Sequence, residues 1–407
     1  MILRSSLRAA LRCSQRVALV AFAMAATALA DGSGGGSLGG PAFSNDAEAY
    51  LVRTIVNLRE LGLKQALGEI DKVLERNPNF RLGHLIRGDL LMARAGQPVA
   101  FAATAMNANA VAPLQDEARV RLARYLDAPR VDYLPASLLQ LSPSQSHALV
   151  VDTSRSRLFV YANDLGRPRY ITDFYISLGK NGIEKQREGD QKTPIGVYTV
   201  LPAKEKLPDF YGHTAFPLSY PNEWDRLHGR NGHGIWMHGT PSETYSRPPW
   251  ATDGCVVLTN EDFARLMKYV DVSRTPIVIG QSAQWLDPAR WEADREGFVA
   301  AFERWKADWE SMDTGRYLAH YSPNFRSEHQ GLAAWSAHKR NVASGKSWIK
   351  VGVNDLSVFA YPGARDLMMV TFEQDYRSNN MSKRTLKRQF WARESGRWRI
   401  VHETVLS

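Results

Sequence analysis

The apolar residues of this chain change their spacing twice, and one core cannot serve every spacing, so the chain must fold as several units. Before about residue 127 they recur at helical intervals: Leu63, Ala66, Leu67, Ile70, Val73 and Leu74 share one face. Asn77-Pro78-Asn79 interrupts that helix, and a second runs from about Arg81 to Ala95, ending at Gly96. The pair is built like a tetratricopeptide-type hairpin but lacks an array at that period. Residues 46–127 therefore read as a small helical packing or dimerisation module. Residues 128–146, with their Pro and Ser, read as a connector. From residue 147 the pattern becomes that of strands. Ala148–Asp152 and Arg157–Tyr161 flank a turn at Thr153-Ser154-Arg155, and further strands are expected at Tyr170–Ser177, Gly196–Leu201, Gly234–Met237 and Pro276–Ile279. Long Gly/Pro/Asn-rich loops separate them, giving a β-rich domain over residues 147–281 with its function in loops.

The second change comes after Gln281. Eight of the 11 tryptophans lie from Trp285 onward. Phe298, Phe302, Trp305 and Trp309 mark one face of a helix, and Ile349–Tyr361, Leu367–Tyr376, Arg388–Arg393 and Arg397–Glu403 alternate as strands. A long helix succeeded by a curved antiparallel sheet is an α+β cone, placed over residues 288–407. Its own aromatic core predicts that it folds independently.

The first 30 residues read as a secretory signal. Arg4, Arg8, Arg12 and Arg16 precede an apolar run, Val17–Ala26, too short to span a bilayer, and Ala28-Leu29-Ala30 suits cleavage. Cys13 lies among the arginines, unlike a lipid-anchored cysteine. Residues 31–45 form a Gly/Ser-rich linker. Removing the signal lowers the formal charge from +9 by four arginines, to +5. That mild excess suits an anionic polymer and is weak support for nucleic acid. Of the two cysteines, Cys255 alone remains. A lone thiol in an exported protein cannot close an internal disulfide, so it is either an inert buried residue or a reactive one.

The stretch Gly234–Leu258 bears on that choice. An apolar run, Ile235-Trp236-Met237, delivers His238, and Cys255, at the end of Thr252-Asp253-Gly254-Cys255, lies 17 residues later. A free thiol is only a few per cent ionised at neutral pH, and a paired imidazole can take its proton and later hand it to a leaving amine. Glycine at 254 lets backbone amides approach an oxyanion. Spacing alone leaves this undecided, since isolated His and Cys usually carry no chemistry.

The residues in order carry more. His238-Gly239-Thr240 and Thr252-x-Gly254-Cys255, preceded by Gly179-Lys180-Asn181, Thr193-Pro194-Ile195-Gly196-Val197-Tyr198, Tyr220-Pro221-Asn222 and Asp225, resemble the L,D-transpeptidase (YkuD-like) catalytic domain family from about His147 to Gly280. The resemblance implies that Cys255 attacks an L,D peptide bond of a peptidoglycan stem. A thioester then forms and the fourth-position D-alanine leaves. His238 would be base and then acid, the Gly239 carbonyl would hold its other nitrogen, the amides of Gly254 and Cys255 would form the oxyanion hole, and Thr252 would support the loop. Trp236, Tyr211 and Trp250 could line the substrate groove, although each equally suits core packing, and Asp253 would border it. Asp253 stands where the family usually has His, and Val257 where it has Arg or Asn. These departures resemble a branch containing L,D-carboxypeptidases. The C-terminal region resembles nuclear-transport-factor-2-like (SnoaL-like) domains through Asp313, Tyr317, Tyr321-Ser322-Pro323 and Phe325. The order of units resembles that of helical-cell-shape L,D-carboxypeptidases.

The resemblance thus implies a periplasmic enzyme of peptidoglycan, with L,D-carboxypeptidase, L,D-transpeptidase and an inactive peptidoglycan-binding scaffold as readings. Cell-shape scaffold proteins, and a second copy through the N-terminal helices, are the expected partners. No cofactor or metal is expected. His228, His233 and His238 lie five apart without the spacing of a zinc site.

Overall fold

The structure, a computed structural model, describes residues 46–60, 62–96, 108–127, 131–327, 330–364 and 366–406. The expected signal peptide and linker lie outside them. Four helices come first: α1 (Asp46–Glu60), α2 (Leu63–Arg76), α3 (Arg81–Arg94) and α4 (Ala108–Leu126). The expected face of α2 is buried through Ala66, Leu67, Ile70 and Val73, against Phe80, Leu82, Ile86 and Leu90 of the α3 segment and Leu114 and Ala118 of α4. The stripe that suggested a packing or dimerisation module is therefore covered within the chain.

A buried ion network fastens this module to the β-rich domain. Arg121 on α4 pairs with Glu117 at 3.0 Å and Glu48 at 3.3 Å, and Arg157 pairs with Glu48 at 2.8 Å and with Asp173. Arg124 reaches Asp173 at 2.9 Å. All six side chains are buried, three acids against three guanidiniums. Burial pushes Asp173 up, but Arg157 and Arg124 outweigh it and hold it at about 2. That stability is present above the unfolded carboxylate value of ~4 and is lost as pH falls toward 2. Removing one partner strands the others: Arg157→Met should cost about 3–5 kcal/mol. Denaturant melts at neutral pH check this, and a loss below about 1 kcal/mol would show that the network is solvated rather than buried.

The β-rich domain is built on a five-stranded sheet: β3 (His147–Asp152), β4 (Arg157–Asp164), β5 (Arg167–Tyr175), β7 (Gly196–Thr199) and β12 (Pro276–Gly280), ordered β5-β4-β3-β12-β7. β12 lies parallel to β3. Alternation decides the two faces. Leu149, Val151, Leu158 and Val160 point into the core with Ile235, Met237, Val256 and Leu258. Ala148, Val150, Phe159 and Tyr161 point the other way. Against the first face lie β8 (Ala215–Pro217), β9 (Trp236–His238) and β11 (Val256–Val257), ordered β11-β9-β8. A further pair joins β6 (Leu178–Gly179) to β10 (Trp250–Thr252). Two short helices, α5 (Glu223–Leu227) and α6 (Asn260–Leu266), complete the domain.

The C-terminal cone has the expected order. Its long helix, α7 (Pro288–Glu310), is capped by Asp287 and buries Trp291, Phe298, Phe302 and Trp305. After two helices, α8 (Thr314–Leu318) and α9 (Leu332–Ser344), and the strand β14 (Tyr321–Ser327), come β15 (Ile349–Ala360), β16 (Leu367–Ser378), β17 (Met381–Glu394) and β18 (Arg397–Val405).

The supposed connector departs from its reading. It supplies two short strands, β1 (Leu134–Pro135) and β2 (Leu138–Gln140). β2 is the sixth strand of the C-terminal sheet, pairing with β15 at Leu138↔Phe359 and Gln140↔Val358. β1 pairs with β13 (Trp285–Leu286). Trp291 Nε1 donates to the Leu138 carbonyl at 3.0 Å, and Leu134 and Leu139 lie in the cone's own aromatic core. The second face of the five-stranded sheet packs on Phe359, Tyr361, Leu367, Met369 and Phe390 of the cone, forming one shared core. Polar contacts rim it: Asn222 Nδ2 donates to Tyr361 OH at 3.0 Å, Arg388 pairs with Glu223 at 2.6 Å, and Trp224 stacks on Phe390 at 5.2 Å.

Candidate active site

β9 and β11 run side by side and parallel, with Met237 opposite Val256 and His238 opposite Val257. This register sets Cys255, at the entry of β11, next to the strand that ends in His238. Both strands are apolar because both lie in the core, so the pair is held on rigid elements. Cys255 is a half-buried free thiol. Its Sγ donates to the Gly234 carbonyl at 3.5 Å, and the backbone of Trp236 hydrogen-bonds the sulfur. His238 is buried, and its Nδ1 lies 2.7 Å from the Gly239 carbonyl. A carbonyl only accepts, so Nδ1 carries the proton and Nε2 is left as the basic nitrogen.

Electrostatics makes this a neutral pair. Burial pushes the Cys255 thiol up to about 11, against the opposing Trp236 hydrogen bond and with Asp253 adding to the rise. Burial lowers His238 to about 4, the Gly239 contact opposing and Arg247 assisting. At neutral pH the thiol keeps its proton and the imidazole is an uncharged acceptor.

The turn before Cys255 is tied from several sides. Thr252 Oγ1 donates to the Cys255 carbonyl at 2.8 Å and accepts from Gly254 N at 3.1 Å. Gly254 has φ +119°, and a Cβ there would stand 2.7 Å from the Lys192 carbonyl oxygen. Its N–H, one of the two amides expected to form an oxyanion hole, is engaged by Thr252 in this structure. Thr193 Oγ1 donates to the Gly254 carbonyl at 3.1 Å and accepts from Gly179 N at 2.9 Å. Lys180 N donates to the Thr252 carbonyl at 2.7 Å. The upstream motifs therefore scaffold this turn. Gly239 is glycine because a Cβ would fall 2.0 Å from Asn260 Oδ1, which accepts from Thr240 N at 3.1 Å. Tyr220-Pro221-Asn222 and Asp225 serve elsewhere: Asn222 and Asp225 form a capping box on α5, beside the cone.

Of the expected groove residues, Tyr211 and Trp236 gather at the histidine. Tyr211 is 4.9 Å from Trp236 and 5.1 Å, edge-on, from His238. Trp250 lies exposed on β10. Asp253 is exposed and paired with Lys180 at 2.9 Å, so part of its charge is offset. Sequence reasoning missed Phe210, 6.3 Å from His238, and Arg247, whose guanidinium lies 4.6 Å from the Phe210 ring centroid and acts electrostatically on both His238 and Cys255. Phe210 sits on a three-residue 3-10 turn and Arg247 on a loop, neither long enough to show a period. His228 is engaged by the Trp224 carbonyl at 2.8 Å and His233 faces Glu188 at 3.5 Å. Among the described residues no three metal-ligating side chains cluster.

Comparisons with known proteins agree with this layout. Residues 146–279 match the L,D-transpeptidase catalytic domain family (YkuD), and residues 297–404 match the Cds6 C-terminal NTF2-like domain family. YafK of Escherichia coli strain K12, provisionally named an L,D-transpeptidase, is 33% identical over 86 residues, covering 21% of this chain and 31% of YafK. The chain thus matches less than a third of that relative's length. Among solved structures, Bd1075 of Bdellovibrio bacteriovorus aligns with TM-score 0.60 and 27% identity, covering 67% of this chain and 98% of that one. The helical cell shape determining protein Pgp2 of Campylobacter jejuni aligns with TM-score 0.58 and 25% identity, covering 67% and 95%.

Proposed function

We propose that this chain, which joins an L,D-transpeptidase catalytic domain to an NTF2-like domain, removes the fourth-position D-alanine from peptidoglycan stem peptides in the periplasm. The supporting observation is the parallel register of β9 and β11, which brings the neutral Cys255 thiol to the strand that ends in the neutral His238 imidazole, with Nδ1 fixed on Gly239. Cys255 Sγ attacks the carbonyl of the third residue while His238 Nε2 takes the thiol proton. The N–H of Cys255 faces the developing oxyanion. Collapse breaks the C–N bond, and His238 returns the proton to the leaving amine of D-alanine. Water then attacks the thioester with His238 as base, releasing the tripeptide and restoring the thiol. Arg247, the cation acting on both His238 and Cys255, would hold the carboxylate of the departing residue.

Two features support hydrolysis: the likeness to a cell-shape protein, and the Thr-Asp-Gly-Cys turn. A second reading, transfer to an amine, is favoured by the family as a whole and by the compensation of Asp253. Incubation with disaccharide tetrapeptide should yield disaccharide tripeptide and D-alanine by mass spectrometry. Adding a D-amino acid at millimolar concentration should give little exchange. Dominant exchange product, or dimers linked through two third-position residues, would establish transfer instead. Because Lys180 already offsets Asp253, Asp253→Asn should shift the product ratio by less than ~5-fold, the reach of an exposed ion pair. A larger shift would restore Asp253 as a selector of the acceptor.

A further inference from the structure

The cone encloses a second site, remote in sequence from Cys255. A cavity of about 400 Å³ is lined by Trp309, Tyr317, Trp335, Lys339, Tyr376 and Lys387, among others. Its walls are mostly apolar, with the rings of Trp309, Tyr317, Trp335 and Tyr376 among them, yet they carry polar groups without partners. Trp335 Nε1, Gln374 Oε1, Tyr376 OH and Thr385 Oγ1 are buried and make no hydrogen bond. Each such group costs ~1–3 kcal/mol when left alone, so four around one cavity require an explanation.

The charges are arranged unevenly. Glu403 is buried and fully engaged, accepting from Lys387 Nζ at 2.7 Å, Gln389 Nε2 at 2.8 Å and Tyr321 OH at 3.1 Å. Lys339, from α9, has no carboxylate partner within ion-pair distance among the described residues. Its Nζ lies 4.2 Å from the Trp335 ring centroid and 5.5 Å from that of Trp309. Burial, with Lys387 nearby and Glu403 only partly opposing, lowers its ammonium to about 8. An unpaired lysine over aromatic faces, ringed by orphan donors and one orphan acceptor, has the composition of a site for a ring bearing a carboxylate.

We infer that this cavity binds a monosaccharide-sized sugar acid, its ring against Trp309, Trp335 and Tyr376, its carboxylate on Lys339 and its hydroxyls on Thr385 and Gln374. The site is separate from the thiol centre, and the inference does not depend on what that centre hydrolyses.

Calorimetric titration of the full chain with three probes tests it: N-acetylmuramic acid (ring and carboxylate), N-acetylglucosamine (ring alone) and D-lactate (carboxylate alone). N-acetylmuramic acid should bind tightest, each partial probe weaker by roughly tenfold or more, the scale of one charge-assisted contact. Lys339→Met should abolish the advantage of the carboxylate, and Trp335→Phe should weaken all ring-bearing probes while retaining the native circular dichroism. Equal binding of N-acetylglucosamine, equal binding of D-lactate, absence of heat with N-acetylmuramic acid, or an unaffected folded Lys339→Met protein would each overturn the inference. D-alanine release, measured on the same preparations, reports separately on the thiol centre.

Discussion

Cys255→Ala should lower D-alanine release by at least ~10³-fold while leaving the melt unchanged, because covalent chemistry has no substitute nucleophile at that position. The fold is safe because the side chain is half-buried and donates one long hydrogen bond, to Gly234. His238→Ala should cost ~10²–10⁴-fold, the range of a lost general base. Burial holds the pair neutral, with thiol and imidazole at about 11 and about 4. Turnover should therefore hold steady through neutral pH and fall as pH drops through about 4, where His238 becomes charged and can no longer accept the thiol proton. Alkylation by iodoacetamide should be slow at neutral pH and climb toward about 11, and should be faster in wild type than in His238→Ala. Retained activity of a few per cent in Cys255→Ala would remove the thioester mechanism. Equal alkylation rates would remove His238 as its base.

The second large effect concerns the cone. Residues 288–407 taken alone should not give a cooperative melt, despite an aromatic core that reads as self-sufficient. Excision removes β2 from the sheet edge, takes Leu134 and Leu139 out of the core, and bares Phe359, Tyr361, Leu367, Met369 and Phe390. Losing burial of large apolar side chains costs ~1.5–3 kcal/mol each. Five such losses match the ~5–15 kcal/mol that holds a whole domain together. The excised segment should bind a hydrophobic dye and lack near-ultraviolet circular dichroism, whereas residues 131–407 should unfold in one transition. A sharp melt of 288–407 with native aromatic signals would show that the shared core is dispensable.

The contrast between these regions explains what could be read in advance. α2, α3, the β3–β4 hairpin and the four long strands of the cone repeat a period often enough to declare themselves. β2 is only three residues long, and no period can be counted over three positions, so a structural strand passed for a tether. The candidacy of His238 and Cys255 came from several motifs standing in order, since their spacing alone left it open, and the structure adds that Gly239 and Gly254 stand where a Cβ would collide. Arg247 and Phe210 were not legible, since their place beside His238 depends on how a loop and a single 3-10 turn fold back. The ion pair of Asp253 was hidden for a similar reason: its partner, Lys180, lies 73 positions earlier and meets it through the β6–β10 pair.

The clasp between β1 and β13 has a consequence for descent and for engineering. Both ends of the thiol-bearing unit leave the body at one point, Leu134 against Leu286 and Pro135 against Trp285. In topological terms that unit is a guest inserted into its host, which begins before it and closes after it. A guest whose two attachment points touch can be exchanged whole only for one that again covers Phe359, Tyr361, Leu367, Met369 and Phe390 of the host. The boundary along which such proteins recombine then lies at the clasp, and not in the stretch between the last strand of one unit and the first helix of the next.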